Sequence, residues 1–392
     1  MLQDFKNLYH LFQAILANLA YGFPSKKLKI VAITGTDGKT TTATLLYKVL
    51  VKAGYKVALI STVAAYIGKD EIDTGFHVTT PSSFSLQRLL KKIADMDYEF
   101  VVLEVTSHAI DQNRIWGIRP TYAGITNVTH EHLDYHKTYE NYVRTKGRLL
   151  AGAKISYVNK DDQESFKILS QILPKAKVYD THILGGSVLS AVRKRFGAQT
   201  YNFQNSALVV SIAKKIGVPE QDIGKAIASF QGVSGRMEKV TNTKGLHIIV
   251  DFAHTPNALE AALTSVRKTM RSKKAKLIVV FGCASQRDVT KRPLMGSIAC
   301  EQADYVVLTS EDPRMENPWS IISQIKSGVK KGHEKIVSIA DRKEAISFAI
   351  RKLANRGDTV IMCGKGHEKS MNLGGLELPW SDRKVVEKIL KQ

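Results

Sequence analysis

Large apolar side chains recur near the start of the chain at Phe5, Leu8, Leu11, Phe12, Ile15, Leu16 and Leu19. Steps of three and four residues place them along one side of an amphipathic helix. Gly22 and Pro24 end that helix. From Lys29 the pattern changes. Short, unbroken, β-branched runs (KIVAITG, KVALIST, FVVLEVTS, YAGITNV and KISYVN) alternate with helical periodicity in TTATLLYKVLVKAG and near 82–95, 138–150 and 162–173. Apolar runs that do not alternate are strands buried on both faces, so this order predicts a mostly parallel sheet covered by helices. A helical block spans 202–230 and ends at Gly232 and Gly235, after which the alternation restarts with HIIVDF, KLIVVFG, YVVLTS and TVIMCG. The expected division is an N-terminal helical extension over 1–28, a central α/β domain over 29–235 and a second, Rossmann-like α/β domain over 236–392.

Composition narrows the picture in four respects. A length of 392 residues suits two or three domains. No apolar stretch is long enough to span a bilayer, and the N-terminus lacks the parts of a secretory signal. Three cysteines, Cys283, Cys300 and Cys363, show no metal spacing and fit a reducing cytoplasm. The net charge of +21 favours anionic partners: nucleotide phosphates, acidic lipid or nucleic acid. The basic residues are scattered in short clusters such as Lys26-Lys27 and Lys273-Lys274, so nucleic acid is not the expected partner.

Candidate chemistry begins after the first strand, where Gly35-Thr36-Asp37-Gly38-Lys39-Thr40-Thr41 leads into a helix. Glycines let a backbone wrap a phosphate, and a helix N-terminus aims N–H groups at it. Lys39 can neutralise β- and γ-phosphates, and the Thr40 hydroxyl can ligate Mg²⁺. The general P-loop has its first glycine five residues before the Gly-Lys pair; Ile33 stands there, and the strand-turn-helix context carries the assignment instead. Glu104 ends the strand FVVLEVTS, where a carboxylate can hold Mg²⁺. Thr126 to His136 packs three histidines and two acids behind another strand; zinc is disfavoured because cysteine ligands and HExxH are both missing there.

The segments GTDGKTTT, LEVTSHAIDQNRI, TNVTHEHLDYHKTYENYVRTKGRL, GRMEKV, VDFAHTPNALEAAL, FGCASQRDVTKRPLMG, SEDPRMENP and GKGHE follow one another in that order. Together they resemble the Mur ligase family, of the type that adds the third amino acid to UDP-MurNAc-dipeptide in peptidoglycan precursor synthesis. The resemblance implies a P-loop-type ATP-binding central domain and an amino-acid-binding C-terminal domain. It implies that Gly35, Thr36, Asp37, Gly38, Lys39, Thr40 and Thr41 hold ATP, and that Thr40, Glu104 and His132 serve two Mg²⁺ ions. It also implies that Lys146 is carbamylated by CO2, although the residues alone read as an ordinary helix-surface lysine. Asn202 and Asn205 match positions near adenine, Arg236 a position facing the phosphates, and Asp251 and His254 positions near ribose and phosphate at the domain junction. Thr79, Thr80, Thr106, Gln112 and Arg114 match the peptide side. Arg287, Asp312, Arg314, Gly364 and Glu368 match the amino-acid side, where Arg314 suits the distal carboxylate of meso-diaminopimelate.

The resemblance also marks departures. Relatives of this type carry an N-terminal domain of roughly ninety residues that holds the UDP moiety, whereas 28 residues, mostly one helix, precede the first strand here. That helix is expected to pack on the domain, to mediate a homodimer, or to rest weakly on an anionic membrane; monomer and homodimer both stay open. The segment before NFQN is short, Glu311-Asp312-Pro313-Arg314 replaces Asp-Asn-Pro-Arg, and GCASQRD replaces GCGGDRD. The implied reaction joins a muramyl-peptide carboxylate to an amino acid through an acyl phosphate, with the C-terminal domain closing to deliver the amine. Two alternatives remain: the same chemistry on a non-UDP peptide or polyglutamate-like acceptor, and a non-catalytic nucleotide-binding partner protein.

Overall fold

A computed structural model describes residues 2–72, 80–197, 201–270, 272, 274–285 and 288–392, so Thr79 and Arg287 lie outside the described residues. The chain divides into two compact units, Met1–Gln231 and Gly232–Gln392.

In the first unit, α1 (Leu2–Tyr21) precedes β1 (Lys29–Thr34), α2 (Lys39–Lys52), β2 (Val57–Ile60), β3 (Ala65–Ile67), β4 (Asp70–Ile72) and α3 (Ser83–Asp95). Next come β5 (Phe100–Glu104), α4 (Ser107–Asp111), β6 (Tyr122–Ile125), α5 (Leu133–His136), α6 (Tyr139–Ala151), β7 (Ile155–Asn159), α7 (Gln163–Ile172) and β8 (Lys177–Tyr179). Helices α8 (Gly186–Phe196), α9 (Tyr201–Ile216) and α10 (Glu220–Ala228) complete it. Among the described residues the sheet runs β4-β3-β2-β5-β1-β6-β7-β8. It is parallel except for the β2-β3-β4 meander.

The unbroken apolar runs are buried strands as the pattern requires: Ile30 to Ile33 and Val101 to Val102 are fully inaccessible. Sequence periodicity did not separate α9 from α10, which Gly217 (φ 106) and Pro219 divide. Nor did it find the β3-β4 meander, whose three-residue strands are too short to show a period.

The second unit holds β9 (Glu238–Val240), β10 (His247–Val250), α11 (Pro256–Thr269), β11 (Leu277–Phe281), α12 (Lys291–Gln302), β12 (Tyr305–Leu308), α13 (Pro318–Lys326) and β13 (Ile336–Ser338). It continues with α14 (Arg342–Phe348), β14 (Thr359–Met362), the hairpin β15 (Ser370–Leu373) and β16 (Leu376–Pro379), and α15 (Asp382–Lys391). Its sheet order is β13-β12-β11-β14-β10-β9, parallel but for β9. Separate apolar clusters on the two faces of this sheet, one around Leu263 and Ile325 and one around Ile346 and Val386, fix the helices to it.

Helix α1 corrects one expectation. Its packed side is built from the small residues Ala14 and Ala17 and from Asn18, all inaccessible, with Leu11 and Ile15 half-buried. Most of the large apolar side chains face away. Asn18 Nδ2 donates to Ala14 O and to Trp116 O, both at 2.8 Å, and Asn7 Nδ2 donates to Asp111 Oδ2 at 3.0 Å. No helix of the described residues is long and apolar enough to cross a membrane.

Asn18→Ala removes the donor to the half-buried Trp116 carbonyl, a loss of about 0.5–1.5 kcal/mol. Limited proteolysis is expected to cut near α1 at least several-fold faster, with the melting of the second unit unchanged.

Candidate functional site

Strands β5, β1 and β6 are neighbours with Ile33 opposite Glu104 and Thr34 opposite Ile125, so their C-terminal ends lie at one level. Chain order reverses there: the connection from β1 leads to β2 on one side, and that from β5 leads to β6 on the other. Such a crevice outside the carboxyl ends of parallel strands is where α/β folds bind ligands.

The loop after β1 is held by the end of β6. Thr36 N donates to Asn127 O at 2.8 Å and Asp37 N to Asn127 Oδ1 at 2.9 Å, while Thr126 Oγ1 donates to Asp37 O at 2.6 Å. Gly38 (φ 76) caps α2, and a Cβ there would lie 2.4 Å from Asn205 Oδ1. The cap supplies no side-chain acceptor, which leaves the first N–H groups of α2 for an anion. Lys39 Nζ donates to Thr36 O at 2.6 Å; Thr41 sits half-buried in the first turn of α2. Asn205 also donates to Asn202 Oδ1 at 3.2 Å, so the asparagine pair of α9 and the loop meet.

Thr40 and Glu104 are buried together, with Thr40 Oγ1 donating to Glu104 Oε1 at 3.0 Å and Thr62 N to Glu104 Oε2 at 2.9 Å. These are hard oxygen donors beside the glycine turn that opens α2, the chemistry Mg²⁺ prefers. Lys146 is 1% exposed on the apolar side of α6, its Nζ donating to Gly35 O at 2.6 Å and lying 4.4 Å from the Tyr142 ring centre. It is therefore not a surface lysine. Burial, with Lys39 next, drives its pKa well below the lysine range, while Glu131 and Asp37 oppose the shift.

His132 is exposed and holds φ 56, a left-handed conformation that costs a non-glycine residue energy. Its ring centre lies 6.2 Å from that of Tyr142 and 5.0 Å from that of His108. His136, buried against Ser107 Oγ at 3.0 Å, is pushed down to about 4 by burial and by His108 and Lys146. Among the described residues no three His, Cys, Asp or Glu side chains gather as a metal site. A metal here needs the Thr40 hydroxyl, a phosphate, or a modified Lys146 as well.

Thr80, Thr106 and Arg114 are linked nearby. Thr106 N donates to Thr80 Oγ1 at 3.1 Å, Thr106 Oγ1 accepts from Ala109 N at the start of α4, and Arg114 Nη1 donates to Thr80 O at 2.7 Å. Gln112 ends α4. Thr79, outside the described residues, adjoins this group in sequence.

In the second unit Arg236 lies 4.4 Å over the Phe252 ring. Asp251 accepts from Met237 N and Ala253 N at 2.7 and 2.8 Å. His254 Nδ1 meets Phe252 O at 3.0 Å, and its pKa is pushed down to about 3, first by desolvation and then by Lys291. Asp312 (φ 43) accepts from the buried Lys365 Nζ at 2.8 Å and from Asn372 N at 2.9 Å, and Lys365 also pairs with Glu368 at 2.5 Å. The backbone of Arg314 (φ 50) is tied to Asn372 and Gly374 of the β15-β16 hairpin.

Three functional candidates were not singled out from sequence. Glu311 is 5% exposed, and burial raises its pKa to about 7. Among the described residues its Oε2 has no hydrogen-bond partner, and a Cβ on Gly364 (φ 106) would lie 2.0 Å from it. Lys291 Nζ donates to His254 O at 2.6 Å. Arg342, fully enclosed, makes a two-pronged pair with Asp382 at 2.8 and 2.6 Å and donates to Ser310 O and Cys363 O, next to Glu311 and Gly364. Glu311 stood in the SEDPRMENP segment, but nothing in sequence marks a carboxylate as buried; Arg342 and Asp382 are forty residues apart.

The chain is similar to known proteins over most of its length. Residues 33–220 match the Mur ligase middle domain and 235–366 the family described as Mur ligase, glutamate ligase domain. A Bacteroides fragilis protein named UDP-N-acetylmuramoyl-L-alanyl-D-glutamate–2,6-diaminopimelate ligase is 37% identical, over 95% of this chain and 80% of its own length. A solved structure of a ligase of that name aligns at 28% identity and TM-score 0.59, over 93% of this chain and 78% of the other. The Yersinia pestis folylpolyglutamate synthase/dihydrofolate synthase complexed with AMPPNP and Mn shares the fold, with TM-score 0.69 at 19% identity over 90% of each chain.

The folded pKa of Glu311, about 7, lies above the ordinary value of 4.5. Its contribution to stability is therefore complete below pH 4.5 and is lost as pH rises through 7. Glu311→Gln is expected to flatten this slope, by at most about 3 kcal/mol, in urea titrations across that range. Asp382→Ala strands the Arg342 guanidinium and is expected to cost about 3–5 kcal/mol, read as a lower melting transition of the second unit alone.

Proposed function

Because the chain belongs to the Mur ligase family, we propose that it is an ATP-dependent ligase of peptidoglycan precursor synthesis, joining a muramyl-dipeptide carboxylate to meso-diaminopimelate. The observation that carries this reading is the joint burial of Thr40, Glu104 and Lys146 around the Gly35–Lys39 turn.

In this reading the turn and the N-terminus of α2 hold the ATP phosphates, with Lys39 swinging from Thr36 O to the terminal phosphates. Thr40 and Glu104 would hold one Mg²⁺ and His132 and Lys146 a second; bound there, the ions would supply positive charge beside the transferring phosphoryl group. Lys146 serves as a carbamate: its neutral amine, favoured by burial, adds to the carbon of CO2, one C=O bond opens to a carboxylate oxygen, and the nitrogen releases a proton to solvent, so a buried neutral amine becomes an anion. The acceptor carboxylate, steered by Thr79, Thr80, Thr106, Gln112 and Arg114, attacks the γ-phosphorus, and ADP leaves. The amine of the incoming amino acid attacks the acyl phosphate; phosphate leaves and the amide forms. Asn202, Asn205, Arg236, Asp251 and His254 are assigned to the nucleotide. Arg287, Asp312, Arg314, Gly364 and Glu368 are assigned to the amino acid, with Arg314 on its distal carboxylate and Glu368 on its distal ammonium. These substrates place the enzyme in the cytoplasm.

The test is phosphate release with UDP-muramyl dipeptide, ATP, Mg²⁺ and a panel of amino acids. Turnover is expected to need all of them and to favour meso-diaminopimelate over lysine and glutamate. Arg314→Lys should raise KM for diaminopimelate at least tenfold without changing KM for ATP. Lys146→Arg should lower kcat by about 10²–10³-fold and remove a ¹³C-bicarbonate-derived carbamate signal. Phosphate release that ignores the amino acid, or a preference for glutamate, would sink the assignment.

A further inference from the structure

Helix α1 leaves its larger apolar side chains in solvent. Leu8, Tyr9, Phe12, Leu16 and Leu19 are 63%, 60%, 57%, 41% and 61% exposed, whereas Ala14, Ala17 and Asn18 are inaccessible. At about 100° per residue, the five exposed positions share an arc of roughly 100°, on the side opposite the three packed ones. The polar atom within this arc, the Tyr9 hydroxyl, already accepts a hydrogen bond from Gln13 Nε2 at 2.9 Å. Trp116, whose carbonyl binds Asn18, adds an indole that is 40% exposed.

Basic residues outnumber acidic ones around the stripe, although α1 carries Asp4 in its first turn. Residues 5–36 contain no Asp or Glu but carry Lys6, Lys26, Lys27 and Lys29. Lys6, Lys26, Lys27 and Arg119 are exposed, and Lys26 and Lys27 follow within a few residues of the end of α1. Lys29 is paired with Glu99. The acid at the other end of the packed side, Asp111, is engaged by Asn7 and Tyr135.

These features discriminate between occupants. A second copy would bring another +21 charge against the first. A protein partner draws its register from directional hydrogen bonds, about one per 100–200 Å² of interface, and the stripe presents almost no polar atoms for them. A lipid surface needs no register and offers both an apolar boundary and anionic phosphates. We propose that α1 seats this protein reversibly on an anionic phospholipid surface. Leu8, Tyr9, Phe12, Leu16 and Leu19 enter the acyl boundary, and Lys6, Lys26 and Lys27 meet the headgroup phosphates. The inference is independent of the ligase assignment, since none of these residues belongs to the site described above.

The experiment is flotation of the full chain with vesicles of phosphatidylcholine alone and of phosphatidylcholine with phosphatidylglycerol. The protein is expected to float with the anionic vesicles at least tenfold more than with the neutral ones, and less as salt rises. Phe12→Glu combined with Leu16→Glu should abolish flotation while thermal unfolding and turnover in solution stay unchanged. Lys26→Glu combined with Lys27→Glu should remove the preference for anionic lipid. No flotation with either vesicle, equal flotation with both, or equal flotation of the Phe12/Leu16 variant would overturn the proposal. A concentration-dependent dimer in analytical ultracentrifugation, dissociated by the Phe12/Leu16 substitutions, would also overturn it and assign the stripe to a second copy.

Discussion

Three parallel strands held in register by their backbone ladders, β5, β1 and β6, end at one level, and the groups assigned to phosphate chemistry hang from those ends. The ladder makes Ile33 and Glu104 partners, so a carboxylate at the end of β5 arrives beside the turn that follows β1. The end of β6 then fastens that turn through Thr126 and Asn127. A one-residue slip of β5 would send Glu104 to the opposite face of the sheet. The apolar interiors of these strands forbid that slip, because it would turn buried side chains out and bring others in. The site's precision is thus a by-product of core burial.

The two units handle interior charge in different ways. In the first, Lys146 is buried against a carbonyl and an aromatic ring, and Lys39 adds to the desolvation that favours its neutral form. A group held neutral and nucleophilic in this way suits chemical modification better than it suits an ion pair. In the second, two buried cations are matched with carboxylates: Arg342 with Asp382, and Lys365 with Asp312 and Glu368. Such pairs add little net stability but are costly to break, so they fix conformation. Arg342 passes that rigidity to the carbonyls of Ser310 and Cys363, and so to the segments carrying Asp312, Arg314 and Gly364.

Backbone strain coincides with assigned positions in both units. His132, Asp312 and Arg314 hold φ values of 56°, 43° and 50°. Each is held by other contacts: His132 lies among the rings of His108 and Tyr142, and the other two are tied to the β15-β16 hairpin. Strain of this kind persists only where surroundings over-determine the conformation.

By itself the sequence determined the fold class, the strands of both sheets that are long enough to show unbroken apolar runs, and the glycine turn ahead of α2. These are local properties: a buried parallel strand must be apolar throughout, and a glycine turn before a helix declares itself in a few consecutive residues. The burial of Lys146 was partly legible, since it stands four residues from both Tyr142 and Leu150 on the apolar side of α6, although its residue type argued for the surface. Only the tertiary structure decided which side of α1 packs, because an apolar stripe looks the same whether it meets a core or solvent. Ala14, Ala17 and Asn18 won that contact because small side chains let α1 lie close and Asn18 could reach the Trp116 carbonyl. The same holds for Glu311, Lys291 and the Arg342–Asp382 pair. Their partners are brought in from distant strand ends, and no local pattern records a desolvation that distant residues impose.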